Sequence, residues 1–230
     1  MSSPSIDKVF ASSIPEIYDT HLVPLIFEQY AMDLAARLAS RPLASVLEIA
    51  TGTGVVTRAM ASALPDAVSI IATDLNQPMI AHASALGTKR PVKWRQVDAM
   101  ALPFEDGTFD AVVCQFGVMF FPDKSKAYAE VRRVLRPGGF FAFNVWDRIE
   151  ENEFADTVTT ALQTLFPSDP PRFLARAPTA ITTKKTLSGI SQRAGSRPHP
   201  RSLHWRPAAG QSLSKSPPSR IVREHRCGTR

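Results

Sequence analysis

The sequence predicts an α/β fold, a Rossmann-like, doubly wound and mostly parallel sheet with helices on both faces. Three observations carry this reading. From about Ala44 to Trp146, apolar runs of strand length alternate with segments of helical periodicity. The runs end in acids, small polar residues or glycines, the first of them in the pair Gly52 and Gly54. A chain of 230 residues supplies one sizeable core with a small appendage.

The elements follow in order. Residues 1–40 read as helix, with "IYDTHLVPLIFEQYAMDLAARLA" carrying a long apolar stripe. This helix either packs on the outside of the domain or lies as a lid over the strand ends, with Tyr18 or Phe27 facing inward. "SVLEIA" is a strand buried on both faces, and Val55 to Leu64 is the helix after it, stopped by Pro65. "VSIIATD" is the second strand, ending at Asp74, and Gln77 to Leu86 the second helix. "VKWRQVD" is a third, more polar strand. After the loop "AMALPFEDGTF" comes a fourth, "DAVVCQF". "KSKAYAEVRRVL" is an amphipathic helix stopped by Arg136-Pro137-Gly138-Gly139, and "FFAFNVW" is the fifth strand. The domain core therefore spans 41–176. Ligands of such sheets sit at the carboxyl ends of the strands.

Charge divides the chain sharply. The net charge of +6 arises from −6 over Met1 to Pro170 and +12 over Pro171 to Arg230. The basic character thus belongs to the end of the chain, and nucleic acid is disfavoured as the partner of the core. No apolar run approaches the roughly 18 residues of a membrane span. The N-terminus lacks the basic-then-apolar pattern of a secretory signal. Cys114 and Cys227 make neither a disulfide framework nor a zinc site. A reducing, cytoplasmic setting is expected.

The stretch "VLEIATGTG", Val46 to Gly54, carries the chemistry. Glycines at 52 and 54 let the chain turn tightly while its backbone approaches a ligand. A dinucleotide fingerprint needs a third glycine where this chain has Thr57. Glu48 lies within a doubly buried strand, where an ionised carboxylate is costly unless a positive group meets it. A pyrophosphate would worsen that balance, whereas a ligand bearing an ammonium and a sulfonium would improve it. Asp74, 20 residues past Gly54, stands where a carboxylate can accept two ribose hydroxyls. Asp98 adds a third acid at the same edge. Asp74 and Asp98 also have plainer readings, as a helix cap and a turn residue.

Together "VLEIATGTG", "ATDLNQPMI", "VDAMALPFEDGTFDAVVCQFGVMFFPD" and "EVRRVLRPGGFFAFNVW" resemble the class I S-adenosylmethionine-dependent methyltransferases, especially the small-molecule, quinone-biosynthesis branch. The resemblance runs from about Ile14 to Trp146. It implies that Glu48 faces the amino-acid end of the methionine moiety, with Gly52 and Gly54 allowing close approach. It further implies that Asp74 holds the ribose, Met79 packs near the adenine, and Asp98 with the backbone of Ala99 reads the adenine edge. Gln115 would line the site, Tyr18 would close it from the N-terminal lid, and Leu102, Pro103 and Phe104 would form an adenine-side wall. Ala50 and Thr51 replace the commoner Gly-Cys of this family. The expected cofactor is S-adenosyl-L-methionine, with no metal, and the expected reaction is direct displacement onto a small-molecule acceptor.

No residue announces itself as a catalyst. His82 reads as a surface histidine, and Asn144, Trp146 and Asp147 follow the fifth strand within reach of an acceptor. From about Ala177 the composition turns to Ser, Pro, Arg and Lys. Residues 177–230 therefore read as a basic, disordered tail, leaving the sheet without its last strands. A change of reading frame is the preferred explanation: Thr179 to Thr183 can be encoded so that the frame one base earlier spells His-Gly-Tyr-His-Asp. The other explanation is a basic tail that binds nucleic acid. Two rival functions stay open, a non-catalytic cofactor-binding remnant and, disfavoured by Thr57 and Glu48, an NAD-dependent oxidoreductase.

Overall fold

The computed structural model describes residues 14–146, 153–166, 202–204 and 220–226. Helix α1 (Ile14–Ile17) leads into a π-helical segment (Tyr18–Phe27) and then α2 (Glu28–Ala39). Pro24 lies inside the π-helical segment. It has no N–H to give and its ring crowds the carbonyl one turn back, so the wider turn accommodates it.

Next come β1 (Ser45–Ile49), α3 (Val55–Ala63), β2 (Ser69–Asp74), α4 (Gln77–Leu86), β3 (Lys93–Gln96) and β4 (Phe109–Gln115). A 3₁₀ turn (Val118–Phe120), α5 (Lys124–Val134) and β5 (Leu135–Trp146) complete the predicted core. Beyond it lie α6 (Glu153–Leu165), β6 (Ser202–His204) and β7 (Arg220–Arg226).

The seven strands form one sheet in the order β3-β2-β1-β4-β5-β7-β6. The first five are parallel, and β7 runs antiparallel to both its neighbours. Strand order reverses between β1 and β4, so the crevice at their carboxyl ends is where this topology puts a ligand. One apolar cluster, including Leu47, Val112 and Phe143, fills the face covered by α5. The other, including Val46, Val113 and Ala142, packs beneath α2 and α3 through Leu34, Leu38, Val56 and Met60. Each predicted strand and helix of this core is present with its bounds shifted by a few residues.

The structure corrects the expectation that the sheet lacks its last strands. Residues Arg220–Arg226 pair along β5 from Trp146↔Arg220 to Phe140↔Arg226, and Ser202–His204 pair with β7. The physical reason lies in β5, whose outer edge would otherwise present a row of unpaired N–H and C=O groups. "RIVREHR" offers only Ile221 and Val222 as apolar residues, too few for a periodicity reading to register. Most of the 177–230 tail, Asp147 and residues 1–13 lie outside the described residues. Helix α6 matches no element assigned from the sequence.

Candidate functional site

The site is built around Glu48, which is 1% exposed in the middle of β1. Its register partners, Ala72 and Val113, offer no side-chain hydrogen bond. Thr57, in the first turn of α3, supplies one: its hydroxyl donates to Glu48 Oε2 at 2.5 Å. Thr51 Oγ1 lies 2.7 Å from Thr57 Oγ1. A hydroxyl has one proton, so when Thr57 donates to Glu48, Thr51 donates to Thr57. Burial pushes the Glu48 carboxyl up to about 8, against the pull of these threonines. The acid is therefore mostly neutral at pH 7 and gains by ionising only when a cation arrives.

Asp74 closes β2 next to the glycine turn. Its Oδ2 accepts the Gly52 N–H at 2.8 Å and its Oδ1 the Asn76 N–H at 2.9 Å. Burial raises its pKa despite those donors. Gly52 has φ +57°, and no atom lies within 4 Å of where a Cβ would sit, so the turn leaves open space beside Asp74. Gly54 differs. At φ +81° its Cβ would lie 2.9 Å from the Trp94 ring and 3.1 Å from Ala83 Cβ. Close packing of α3 on β3 and α4 therefore requires Gly54, beyond any approach to a ligand.

Two non-glycine residues, Ala50 and Phe116, share a left-handed φ of 53° at the ends of the adjacent strands β1 and β4. Such a conformation costs about 1–2 kcal/mol per residue. Gly117 makes room for Ala50: a Cβ on Gly117 would stand 2.5 Å from Ala50 Cβ and 2.7 Å from Cys114 Sγ.

The N-terminal elements reach this edge. Tyr18 stacks on Phe27 with ring centroids 5.1 Å apart. Its phenol pKa is raised by burial and by the charge of Asp74, which puts Tyr18 near the second-strand acid. Asp19 Oδ1 accepts from Arg58 of α3 at 2.9 Å, and Arg58 also donates to the Thr53 carbonyl at 2.7 Å. His82 Nε2 lies 4.0 Å from Asp19 Oδ2, so the expected surface histidine is half-buried against the N-terminal segment.

The remaining predicted residues are distributed around the edge. Met79 is buried in the first turn of α4, and Ala99 is buried after β3. Asp98 Oδ1 accepts the Met100 N–H at 2.8 Å, which makes it a turn residue. Phe104 packs edge-on to Phe109, with the Arg95 guanidinium 5.2 Å above its ring. Arg133 holds this loop through the carbonyls of Leu102 and Phe104. Gln115 spends its side chain on Phe27 O and Asn144.

Sequence reasoning missed Thr57, Thr51, Arg58, Asp19 and Gly117. It registered Thr57 only as an absent glycine. Among the described residues no cluster of His, Cys, Asp and Glu could hold a metal ion, and no helix is long and apolar enough to cross a membrane.

Residues 47–143 match the family model described as "Methyltransferase domain". The chain is 39% identical over 117 residues to the demethylmenaquinone methyltransferase of Thermus thermophilus, covering 50% of this chain and 51% of that one. It is 31% identical over 166 residues to the ubiquinone/menaquinone biosynthesis C-methyltransferase UbiE of a Marinomonas species, covering 65% of each. The chain thus spans about half the length of the first of these relatives. Among solved structures, its fold is similar to a SAM-dependent methyltransferase from Methanosarcina mazei, with a TM-score of 0.57 and 18% identity over 81% of this chain and 93% of that one.

Proposed function

Residues 47–143 make this chain a member of the class I S-adenosylmethionine-dependent methyltransferases, and from that premise we propose that it methylates a small-molecule acceptor by direct displacement. The observation that carries the proposal is Glu48, an acid kept mostly neutral by burial and hydrogen-bonded by Thr57 at the switch point of the sheet. Such a group rewards a cationic ligand and discourages a pyrophosphate.

The residues present fit the cofactor. The space beside Gly52 lacks a side chain, and Asp74 borders it, its Oδ2 accepting the Gly52 N–H and its Oδ1 the main-chain and side-chain N–H of Asn76. When bound, S-adenosylmethionine supplies a methyl carbon on a cationic sulfur, from which an electron pair of the acceptor displaces the neutral thioether. Glu48 would meet the ammonium end and Asp74 the ribose hydroxyls, with Met79 and Leu102 beside the adenine, and Asp98 with the backbone of Ala99 would read the adenine edge. The chain's contribution is chiefly alignment, worth up to about 7–11 kcal/mol in well-oriented systems. Tyr18 and Phe27, on the N-terminal segment, exclude water from the closed site. The names of the relatives, which act in quinone biosynthesis, support a small ring-bearing acceptor.

The test is calorimetric titration with S-adenosylhomocysteine, beside a Glu48→Ala, Asp74→Ala double variant. Micromolar binding that the double variant loses is expected. A folded wild-type chain that does not bind overturns the proposal.

A further inference from the structure

Arg133, in the last turn of α5, has its whole guanidinium engaged by the protein. Its Nε donates to Glu130 Oε1 at 2.8 Å, and its Nη2 to Glu130 Oε2 and to the Leu102 carbonyl, both at 2.8 Å. Its Nη1 donates to the Phe104 carbonyl at 2.7 Å and to Asp106 Oδ1 at 2.9 Å. A guanidinium carries five N–H donors, and these contacts use them all. Glu130, one turn earlier on the same helix, also accepts the Leu102 N–H at 2.8 Å. The bond from Arg133 holds the Glu130 carboxyl below the usual carboxylate range, so the acid stays ionised and keeps the fork in place.

Residues 97–108 cross from β3 to β4 as a loop, whose backbone groups must find partners outside a helix or a ladder. Its first part closes on itself. Asp98 Oδ1 accepts the Met100 N–H at 2.8 Å, and Asp98 O accepts the Ala101 N–H at 2.9 Å. Leu102, next in the chain, has both its N–H and its C=O held by side chains of α5. It is also buried in the same apolar cluster as Val131 and Val134 of that helix. The turn that carries Asp98 and Ala99 is therefore a closed unit standing on a fixed base. Asp106 is 80% exposed, so its ion pair adds little and the two carbonyls carry the weight. Lysine cannot reproduce this. With Nε and Nη2 on Glu130, the planar fork turns its remaining donors to the loop, whereas an ammonium is a point charge.

Resting on the cofactor reading above, we propose that Arg133, oriented by Glu130, is a positioning residue for the adenine: acting through Leu102, it holds the Asp98–Ala99 turn where the base is read. The guanidinium has no donor left for a ligand, so its effect reaches the cofactor only through the loop. The base selectivity of the site is set from α5, a helix that supplies none of the residues assigned to the cofactor.

The test titrates the full chain calorimetrically with S-adenosylhomocysteine and with S-inosylhomocysteine, in which the 6-amino group of the base is replaced by a carbonyl oxygen. Wild type should prefer the adenine compound by at least about tenfold, the value of a hydrogen bond to a charged acceptor. Arg133→Lys should weaken S-adenosylhomocysteine by about tenfold and shrink the preference to within about twofold, leaving S-inosylhomocysteine affinity almost unchanged. A merely structural role lowers both affinities together and leaves their ratio alone. Hydrogen exchange gives a ligand-free reading: the Met100 and Ala101 amides should exchange faster in Arg133→Lys while those of Val112 and Val113 in β4 keep their rates. Should Arg133→Lys not fold, the milder Glu130→Gln decides by the same ratio and the same amides. A folded wild-type chain that does not bind S-adenosylhomocysteine overturns the methyltransferase reading. One that binds it without preferring it to the inosyl compound overturns the present inference alone. So does an undiminished preference in a folded variant, or exchange that rises equally in loop and strand.

Discussion

Thr57 Oγ1 donates to Glu48 Oε2 across 2.5 Å, reaching a carboxyl buried between Ala72 and Val113. The place where a dinucleotide fingerprint would put a glycine thus holds the group that makes a buried acid tolerable. Helix and strand are coupled through this contact, and so are the fold and the electrostatics of the crevice.

Glu48 should make stability fall as pH rises. Burial lifts its folded pKa from 4.5 to about 8, so between those values the folded chain binds a proton that the unfolded chain has released. The contribution is complete below the unfolded pKa and lost as pH climbs through the folded one. Glu48→Gln should flatten the profile over this window, where one proton's limiting slope is about 1.4 kcal/mol per pH unit. Urea melts at several pH values read it. S-adenosylhomocysteine carries an ammonium, so its binding should also release a proton near pH 7. Calorimetric enthalpies that do not change between phosphate and Tris buffers would count against that.

Thr57→Val keeps the shape of the side chain and removes both halves of its hydrogen bonding. Glu48 loses its donor and Thr51 its acceptor, so a loss of about 1–3 kcal/mol in chemical denaturation is expected. Thr57→Ser should recover most of it. If valine is as stable as threonine, Glu48 is satisfied by some other route.

The sequence showed the strands and both principal acids because an acid inside an apolar run stands out from its neighbours. Glu48 and Asp74 needed only that contrast, and the alternation of elements placed them at one edge. Thr57, Asp19 and Arg58 carry no such local mark. Asp19 and Arg58 meet from 39 residues apart, and only the folded N-terminal segment brings them together. Composition misread Arg220–Arg226, since a strand at the flank of a sheet is specified as much by the edge it covers as by its own hydrophobicity. The neutral state of Glu48 at pH 7 also belongs to the fold, through burial.

Ala50 and Gly117 form an interlock between the two central strand ends. Gly117→Ala places a methyl 2.5 Å from Ala50 Cβ and 2.7 Å from Cys114 Sγ, so a loss of about 1–3 kcal/mol is expected from overpacking. Ala50→Gly relieves a left-handed alanine but frees the unfolded chain, and the two effects should leave stability within about 1 kcal/mol of wild type. The double variant should recover part of the Gly117→Ala loss, because the clash with Cys114 remains. Strict additivity in a double-mutant cycle would show that the two turns do not touch.

The pair Asp19–Arg58 should govern exchange of the cofactor more than stability. Their side chains are 19% and 28% exposed, which places the pair among those worth at most about 1 kcal/mol. Yet the same arginine holds the Thr53 carbonyl of the glycine turn, so breaking the pair loosens the N-terminal segment where it meets the loop. Asp19→Ala should therefore leave the melting midpoint almost unchanged. It should speed dissociation of S-adenosylhomocysteine several-fold and open the Tyr18–Phe27 segment to limited proteolysis. Arg58→Ala should do both more strongly, since it also frees Thr53. Stopped-flow displacement measures the rate, and the two variants together decide the matter. If neither changes it, the ion pair is a surface contact and the segment does not close over the bound cofactor.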